Sequence, residues 1–149
     1  MFKTLITAML PVLEIRAAIP VGISEGLSAW LAFAVGFVGN MLPVPFLILL
    51  TRIIIEWLKK HQILTRFSAW LEEKGSKGAE KVNRYRFWGL FLLVAIPLPG
   101  TGAWTGALAA SLLDMQLKRA LPAIALGVVA AGLVVLAVTY GAISVGSMI

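Results

Sequence analysis

Apolar and polar positions in this chain are segregated into long blocks. Glu25 is the only charge between Arg16 and Arg52, none lies from Phe87 to Leu113, and none follows Arg119. Blocks of that length supply the roughly 20 apolar residues that a membrane-spanning helix needs. One of them is broken from within. Residues 95–106 read AIPLPGTGAWTG, in which Pro97 and Pro99 end a helix and Gly100 and Gly102 permit a reversal. Irregular backbone at membrane depth has no water to bind, so it must be packed in protein or line a wet cavity.

The flanking charges decide what this break does. Phe87–Leu113 leaves one basic region and arrives at Lys118 and Arg119. A simple crossing would put that pair on the outer side, against the positive-inside tendency; a segment that turns back at its centre keeps both ends cytoplasmic. Its arms, Phe87–Ile96 and Ala103–Leu113, are 10 and 11 residues long, roughly 15 Å each and half of a hydrocarbon core of about 30 Å. The pattern predicts a re-entrant hairpin.

The first part of the chain echoes the second. AAIPVG (17–22) resembles VAIPLPG (94–100), and MLPV (41–44) resembles ALPA (120–123), at separations of 77 and 79 residues between the prolines. This correspondence predicts a first hairpin with its tip at Ile19–Ile23 and a return arm through about Phe37. A turn at Gly39-Asn40 and a crossing over Met41–Leu58 follow. The expected fold is an all-α integral membrane protein, an inverted repeat of re-entrant hairpin plus transmembrane helix. Repeat one covers about 1–60, a basic amphipathic connector about 61–86 with Trp70 as an interfacial anchor, and repeat two about 87–149. A plain hydropathy reading instead makes Leu27–Thr51 one long helix and Met1–Ile15 another.

Composition agrees on class. Of 149 residues 60% are apolar and 13% charged, far from the quarter charged of a soluble domain. Net charge is +6, and eight of the basic residues fall between Lys59 and Arg86 against three acids. That is the signature of a cytoplasmic loop rather than of nucleic-acid binding. No small-residue cleavage site follows the N-terminal apolar run, so a signal peptide is not expected. With no cysteine and a single histidine, neither a transition-metal site nor any other cofactor is expected. No nucleotide-binding or nucleophile-elbow motif is present, which argues against an enzyme.

Candidate chemistry is concentrated at the breaks. A helix starting near Gly102 points free N–H groups and a positive dipole end at the midplane, with the hydroxyls of Thr101 and Thr105 beside it. Gly102, Gly106 and Ala110 form a small-residue face that a neighbouring helix can approach. Glu14 and Arg16 precede the expected first tip at Pro20. Ionisable residues at such depth suggest a substrate or proton path, and a structural clasp between the two is the competing reading. Asn40 is a turn residue or a cavity residue, and Arg52 and Glu56 have the spacing of a surface salt bridge.

EIRAAIPVGI, a following GN…P, and PLPGTGAWTGALAA together resemble the small multidrug export protein family of bacteria and archaea, which is distantly similar to DedA-like and SNARE-associated Golgi (VTT-domain) proteins. The resemblance covers nearly the whole chain. It implies two opposed re-entrant hairpins and gives functional weight to Glu14, Arg16, Pro20, Pro97, Pro99, Gly100, Thr101, Gly102 and Trp104. The expected function is an ion-coupled secondary transporter or flippase for an amphipathic or phosphate-bearing small molecule or lipid. The alternative is a non-transporting membrane scaffold or assembly factor. Expected partners are membrane lipids, a small amphipathic or anionic substrate and a second copy of the chain in a homodimer, in the cytoplasmic membrane of a prokaryote.

Overall fold

The computed structural model describes residues 1–60, 79–96 and 101–146, and every regular element among them is an α-helix. α1 (Phe2–Met9) stops where Leu10 precedes Pro11. A residue before proline is driven out of the helical region, and Leu10 is extended at φ −75°, ψ 136°. The chain turns over Leu10–Leu13 and returns as α2 (Glu14–Ser24) alongside α1, with Gly22 against Thr4. α3 (Ala29–Met41) leads into α4 (Val44–Lys60).

Two expectations are corrected here. The first tip lies at Leu10–Leu13 rather than at Ile19–Ile23, which sits inside α2 together with Pro20. Pro20 is exposed, and the helix runs on past it without the hydrogen bond that its missing N–H would have made to the Arg16 carbonyl. Gly39 and Asn40 make no turn either; both are buried inside α3. A β-carbon at Gly39 would stand 2.7 Å from the Leu5 carbonyl oxygen and 2.9 Å from the Ala8 β-carbon. The glycine serves close helix packing, not a bend. Leu42 keeps helical angles, its N–H bonds to the Val38 carbonyl, and the Leu47 N–H bonds to that of Pro43. α3 and α4 therefore run on as one apolar span, Ala29–Trp57, long enough to cross a membrane. That is closer to the plain hydropathy reading than to a hairpin arm followed by a crossing.

The second part repeats this order. α5 (Ala79–Ala95) begins well before Phe87, α6 (Ala103–Leu112) turns back so that Gly106 abuts Val94, and α7 (Leu117–Gly146) contains the second long apolar span, Leu117–Ala142. The connector over 61–78, with Trp70, lies outside the described residues, as does the segment 97–100.

Local details recur at a spacing of 88 residues. Gly26 and Asp114 both have positive φ, 84° and 50°. Each closes a helix by the same bonds: Gly26 N–H to Ile23 O and Leu27 N–H to Gly22 O, then Asp114 N–H to Ser111 O and Met115 N–H to Ala110 O. This is the Schellman pattern of helix termination. Gly39 and Gly127 are also 88 apart, and each is pressed against the helix that opens its half, Gly39 on Leu5 and Gly127 on Val94 and Phe91. The proline separations of 77 and 79 residues match no such pairs, because Pro20 lies within α2 whereas Pro97 lies beyond the end of α5.

The halves share one core. α7 packs on α5, α2, α3 and α6, and α4 packs on α6. Ile15, Ile19, Ile48, Leu90, Val94 and Ile124 are fully enclosed between them. Large apolar side chains such as Phe46, Leu50, Ile53, Leu133 and Val138 face outward, as a lipid-facing surface requires. One end of the molecule is marked by the Met1 amine and Lys3, which pair with Glu25 at 3.4 and 3.0 Å. The other end is marked by Arg52, whose guanidinium donates to the Met115 carbonyl; no bond of Arg52 to Glu56 is seen among the described residues. Lys60, Arg84, Lys118 and Arg119 are exposed at that second end.

Candidate functional site

The two breaks meet and cap one another. Glu14 opens α2 at φ 47°, a left-handed conformation that is unfavourable for a residue with a β-carbon. The strain aims its carboxylate at the start of α6. There Oε2 accepts the Ala103 N–H at 3.3 Å and Oε1 the Trp104 N–H at 3.2 Å. Those N–H groups are among the four that any helix leaves unpaired at its N-terminus, so Glu14 acts as an N-cap supplied from 89 residues away. It is 5% exposed. Gly102 makes room for it, since a β-carbon at that position would overlap the carboxylate.

Arg16, close to the break on α2, reaches the same segment from its other side. Its Nη2 donates to the Ile96 carbonyl at 3.2 Å, to the Thr101 carbonyl, and to Thr101 Oγ1 at 3.1 Å. Thr101 Oγ1 in turn donates to Ile96 O at 2.9 Å. Ile96 directly follows α5, so Arg16 satisfies a carbonyl that the end of that helix leaves free. Trp104 does the converse: its Nε1–H donates to the Met9 carbonyl, at the end of α1, at 3.2 Å. Carbonyl ends of both opening helices and the N-terminus of α6 are thus closed by side chains from the opposite half.

Of the residues singled out from sequence, Glu14, Arg16, Thr101, Gly102 and Trp104 come together in this interlock. Thr105 is half-buried on α6. Pro97, Pro99 and Gly100 lie outside the described residues. Pro20 stands on the outer side of α2, away from the interlock. Asn40 is neither a turn residue nor exposed: it is fully buried in α3, and its amide has no hydrogen-bond partner among the described residues. Gly106 and Ala110 are packed within the chain, Gly106 on Val94 and Ile124, so they offer no free face to a second copy.

Sequence reading misses Leu10 and Pro11, which make the first break, and the carbonyls of Met9 and Ile96, which Trp104 and Arg16 satisfy. A signal is present. Leu10-Pro11 recurs as Leu98-Pro99 at the same 88-residue spacing.

A groove of about 480 Å³ runs between α1 and α3, lined by Met1, Phe2, Leu5, Ala34, Val35 and Val38. Its lining is apolar, and no residue of the interlock contributes to it.

Two long apolar spans around a pair of interlocked broken helices define an all-α membrane protein. The chain belongs to the family described as putative small multi-drug export protein, matched over residues 14–134. That stretch begins at Glu14 and contains the whole interlock apart from the carbonyl of Met9. The description gives the chain a membrane transport role. No curated protein and no solved structure matches it.

Proposed function

We propose that the protein is an ion-coupled secondary transporter or flippase for an amphipathic or phosphate-bearing small molecule or lipid. The reading has the two halves as an inverted repeat whose breaks are re-entrant and meet near the bilayer midplane. Buried Glu14 carries this reading. An ionisable group inside a membrane is expensive and marks an ion or substrate pathway by default, and here it occupies a helix N-terminus suited to any anion.

A carboxylate is a strong charge-assisted acceptor, and protonation removes the charge that makes it so. In this mechanism a proton arriving at Glu14 weakens its hold on the Ala103 and Trp104 N–H groups. An anionic group of the substrate then becomes the better partner for them. Arg16 keeps the adjoining segment in place through Ile96 and Thr101 and adds positive potential. The groove between α1 and α3 suits the apolar part of such a substrate.

Orientation and assembly follow from the same physics. The positive-inside tendency puts the end bearing Arg52, Lys60, Lys118 and Arg119 in the cytoplasm of a prokaryotic cell, with the Lys3–Glu25 end outside. Exposed Trp30 and Tyr140 towards one end and Trp57, Tyr85 and Trp88 towards the other are the aromatic belts of a spanning protein. Leu10, Val12 and Leu13 of the first break are exposed, Val12 to 86%. Irregular backbone is not tolerated against lipid, and a second copy of the chain in a homodimer would cover it.

One observation favours a different reading. Glu14 and Arg16 both make hydrogen bonds that close the breaks, which is what a non-transporting scaffold or assembly factor would need from them. Reconstitution separates the two. In liposomes carrying an internal pH dye and a fluorescent short-chain phosphatidic acid, the transporter gives gradient-dependent flux that Glu14→Gln abolishes while the variant stays folded. Absence of flux under any gradient, with Glu14→Gln only lowering Tm, establishes the scaffold.

A further inference from the structure

The groove between α1 and α3 has a direction. Met1, Phe2 and Leu5 form one wall, and Ala34, Val35 and Val38 the other. The two helices lead inward side by side: Gly22 of α2 touches both Thr4 and Ala32, and Gly39 meets Leu5 and Ala8 further along. The groove therefore runs lengthwise, inward from the end where α3 begins, four residues after Glu25. From Ala29 to Val38 is roughly 14 Å of helix, about the depth of one leaflet in a hydrocarbon core near 30 Å. Its volume, about 480 Å³, lies within the roughly 300–1,000 Å³ of small-molecule sites.

The second half is built differently at the matching place. Gly39 and Gly127 rest on the carbonyl oxygens of Leu5 and Phe91, and beside the β-carbons of Ala8 and Val94. Both of those pairs are 86 residues apart, a register that sets Met1, Phe2 and Leu5 against Phe87, Trp88 and Phe91. There the three rings form an edge-to-face cluster, with neighbouring centroids 5.7 Å apart. The first half has a flexible methionine, a single ring and a leucine beside an open groove.

Charge lies at the mouth. Met1 lines the groove and its amine is 3.4 Å from Glu25, while Lys3 Nζ, 3.0 Å from the same carboxylate, is 80% exposed. Two cationic groups share one acid, which leaves positive charge in excess, and each ammonium keeps donors that Glu25 does not use. Trp30 is exposed one turn outward of Ala34 on the same face of α3, a place where an indole meets headgroups.

We propose that the groove docks one acyl chain of an anionic phospholipid from the leaflet on the Lys3–Glu25 side, with the phosphate held by Lys3 and the Met1 amine. An apolar channel parallel to the helices takes a fatty chain, and the positive mouth takes the charge at its head. The exposed break that calls for a second copy of the chain lies beyond the other end of α1, roughly 12 Å of helix from Phe2. That the docked lipid is also the cargo rests on the transporter reading above; the docking itself does not.

Thermal unfolding in mild detergent tests this, because a ligand that binds only the folded protein raises Tm with its concentration. Dioleoyl phosphatidylglycerol should raise the wild-type Tm at roughly tenfold lower concentration than dioleoyl phosphatidylcholine, and Lys3→Gln should remove most of that preference. Ala34→Phe, which puts a ring into the groove, should remove the response and most of the phospholipid that co-purifies, counted as organic phosphate. Ala34 and Val38 are both exposed, so Val38→Phe gives a second reading should Ala34→Phe fold poorly. Leu133→Phe, on the outward face of α7, should behave as wild type. Equal retention in the groove variants and Leu133→Phe, or an equal wild-type response to the two lipids, would overturn the proposal. So would loss of a dimer without loss of phospholipid in Ala34→Phe, which would give the groove to a second copy. Lipid binding without flux in the liposome assay would remove the transporter reading and leave the docking site. Flux that survives Ala34→Phe after retention is lost would leave the transporter and overturn the docked lipid as its cargo.

Discussion

Arg16 and Trp104 stand 88 residues apart and perform the same task in opposite directions. Arg16 Nη2 donates to Ile96 O beyond the end of α5, and Trp104 Nε1 donates to Met9 O at the end of α1, both at 3.2 Å. Each half closes the other's broken helix. The pair explains how a chain can interrupt its helices in its interior without leaving carbonyls unpaired.

These two bonds should differ in strength. Trp104→Phe removes a single neutral donor and leaves the Met9 carbonyl bare, at a cost of about 1–2 kcal/mol. Arg16→Met removes a charged donor that serves Ile96 and both oxygens of Thr101, and should cost about 3 kcal/mol or more. Equilibrium unfolding in detergent, followed by helix content, measures both. Equal losses would mean that Arg16 contributes packing and little else.

Gly102 and Glu14 should behave as one unit. Gly102→Ala puts a methyl where the carboxylate sits, so Glu14 must leave the Ala103 and Trp104 N–H groups. Alone it should destabilise by about 2–3 kcal/mol, as losing a charged cap does. In a Glu14→Ala background the space is empty and the cap already lost, so the further cost of Gly102→Ala should fall below about 1 kcal/mol. Such non-additivity is what a double-mutant cycle reads. Additive losses would show that the glycine is required for backbone freedom instead.

What can be read from the sequence follows the range of the forces involved. Class, the chain reversal before Ala103 and the placing of Glu14 and Arg16 beside a break rest on local composition, charge placement and a family motif, and all are visible in short stretches. The first break is misplaced because Pro20 looks like Pro97 in sequence, although α2 runs on past it. Pro11 ends its helix because the steric demand on Leu10 meets no opposing packing; Val12 beside it is exposed. Gly39-Asn40 reads as a turn in isolation. It is a packing site because Leu5 lies against it, a contact across 34 residues. The capping of α6 by Glu14 spans 89 residues, and nothing near either partner announces it.

Close helix approach in the second half is testable through a compensating pair. A β-carbon on Gly127 would lie 2.6 Å from that of Val94 and 3.0 Å from the Phe91 carbonyl oxygen. Gly127→Ala should destabilise by about 1–3 kcal/mol through overpacking, and Val94→Gly in the same chain, which removes the facing β-carbon, should offset part of it. Gly39→Ala meets the Leu5 backbone carbonyl at 2.7 Å, which no side-chain truncation relieves. Thermal unfolding of the four variants distinguishes the sites; rescue of Gly39→Ala by Ala8→Gly to the same degree would contradict the assignment.

The surface cluster at the first end gives a pH dependence of known sign. Hydrogen bonding from Lys3, reinforced by the terminal amine, holds the Glu25 carboxyl below the usual carboxylate range. A carboxyl whose pKa is depressed on folding favours the fold above its unfolded pKa, about 4.3, and loses that contribution as pH falls through the lower folded value. Wild-type Tm should therefore drop more steeply than that of Glu25→Gln as pH falls below about 4.3, and salt should shrink the difference because the cluster is exposed. Parallel pH profiles for the two proteins would mean that the pairing adds nothing to stability.

Topology offers the most direct check on the inverted arrangement. Lys60 closes α4, Gln116 precedes α7, and both are exposed at the end where Arg52 binds Met115. Ser24 is exposed at the end of α2, beside the Glu25 cluster. If α3 and α4 cross as one span while the helices on either side of Leu10–Leu13 turn back, Lys60→Cys and Gln116→Cys must react with an impermeant maleimide from the cytoplasmic side. Ser24→Cys must then react from the other side. The positive-inside tendency fixes which side is which; the pairing of positions is fixed by the fold alone. Labelling of Lys60→Cys and Gln116→Cys from opposite faces would mean that the stretch from Ala79 to Leu112 crosses the membrane an odd number of times. The second break would then be a kink in a spanning helix, and the interlock with Glu14 could not lie at the midplane.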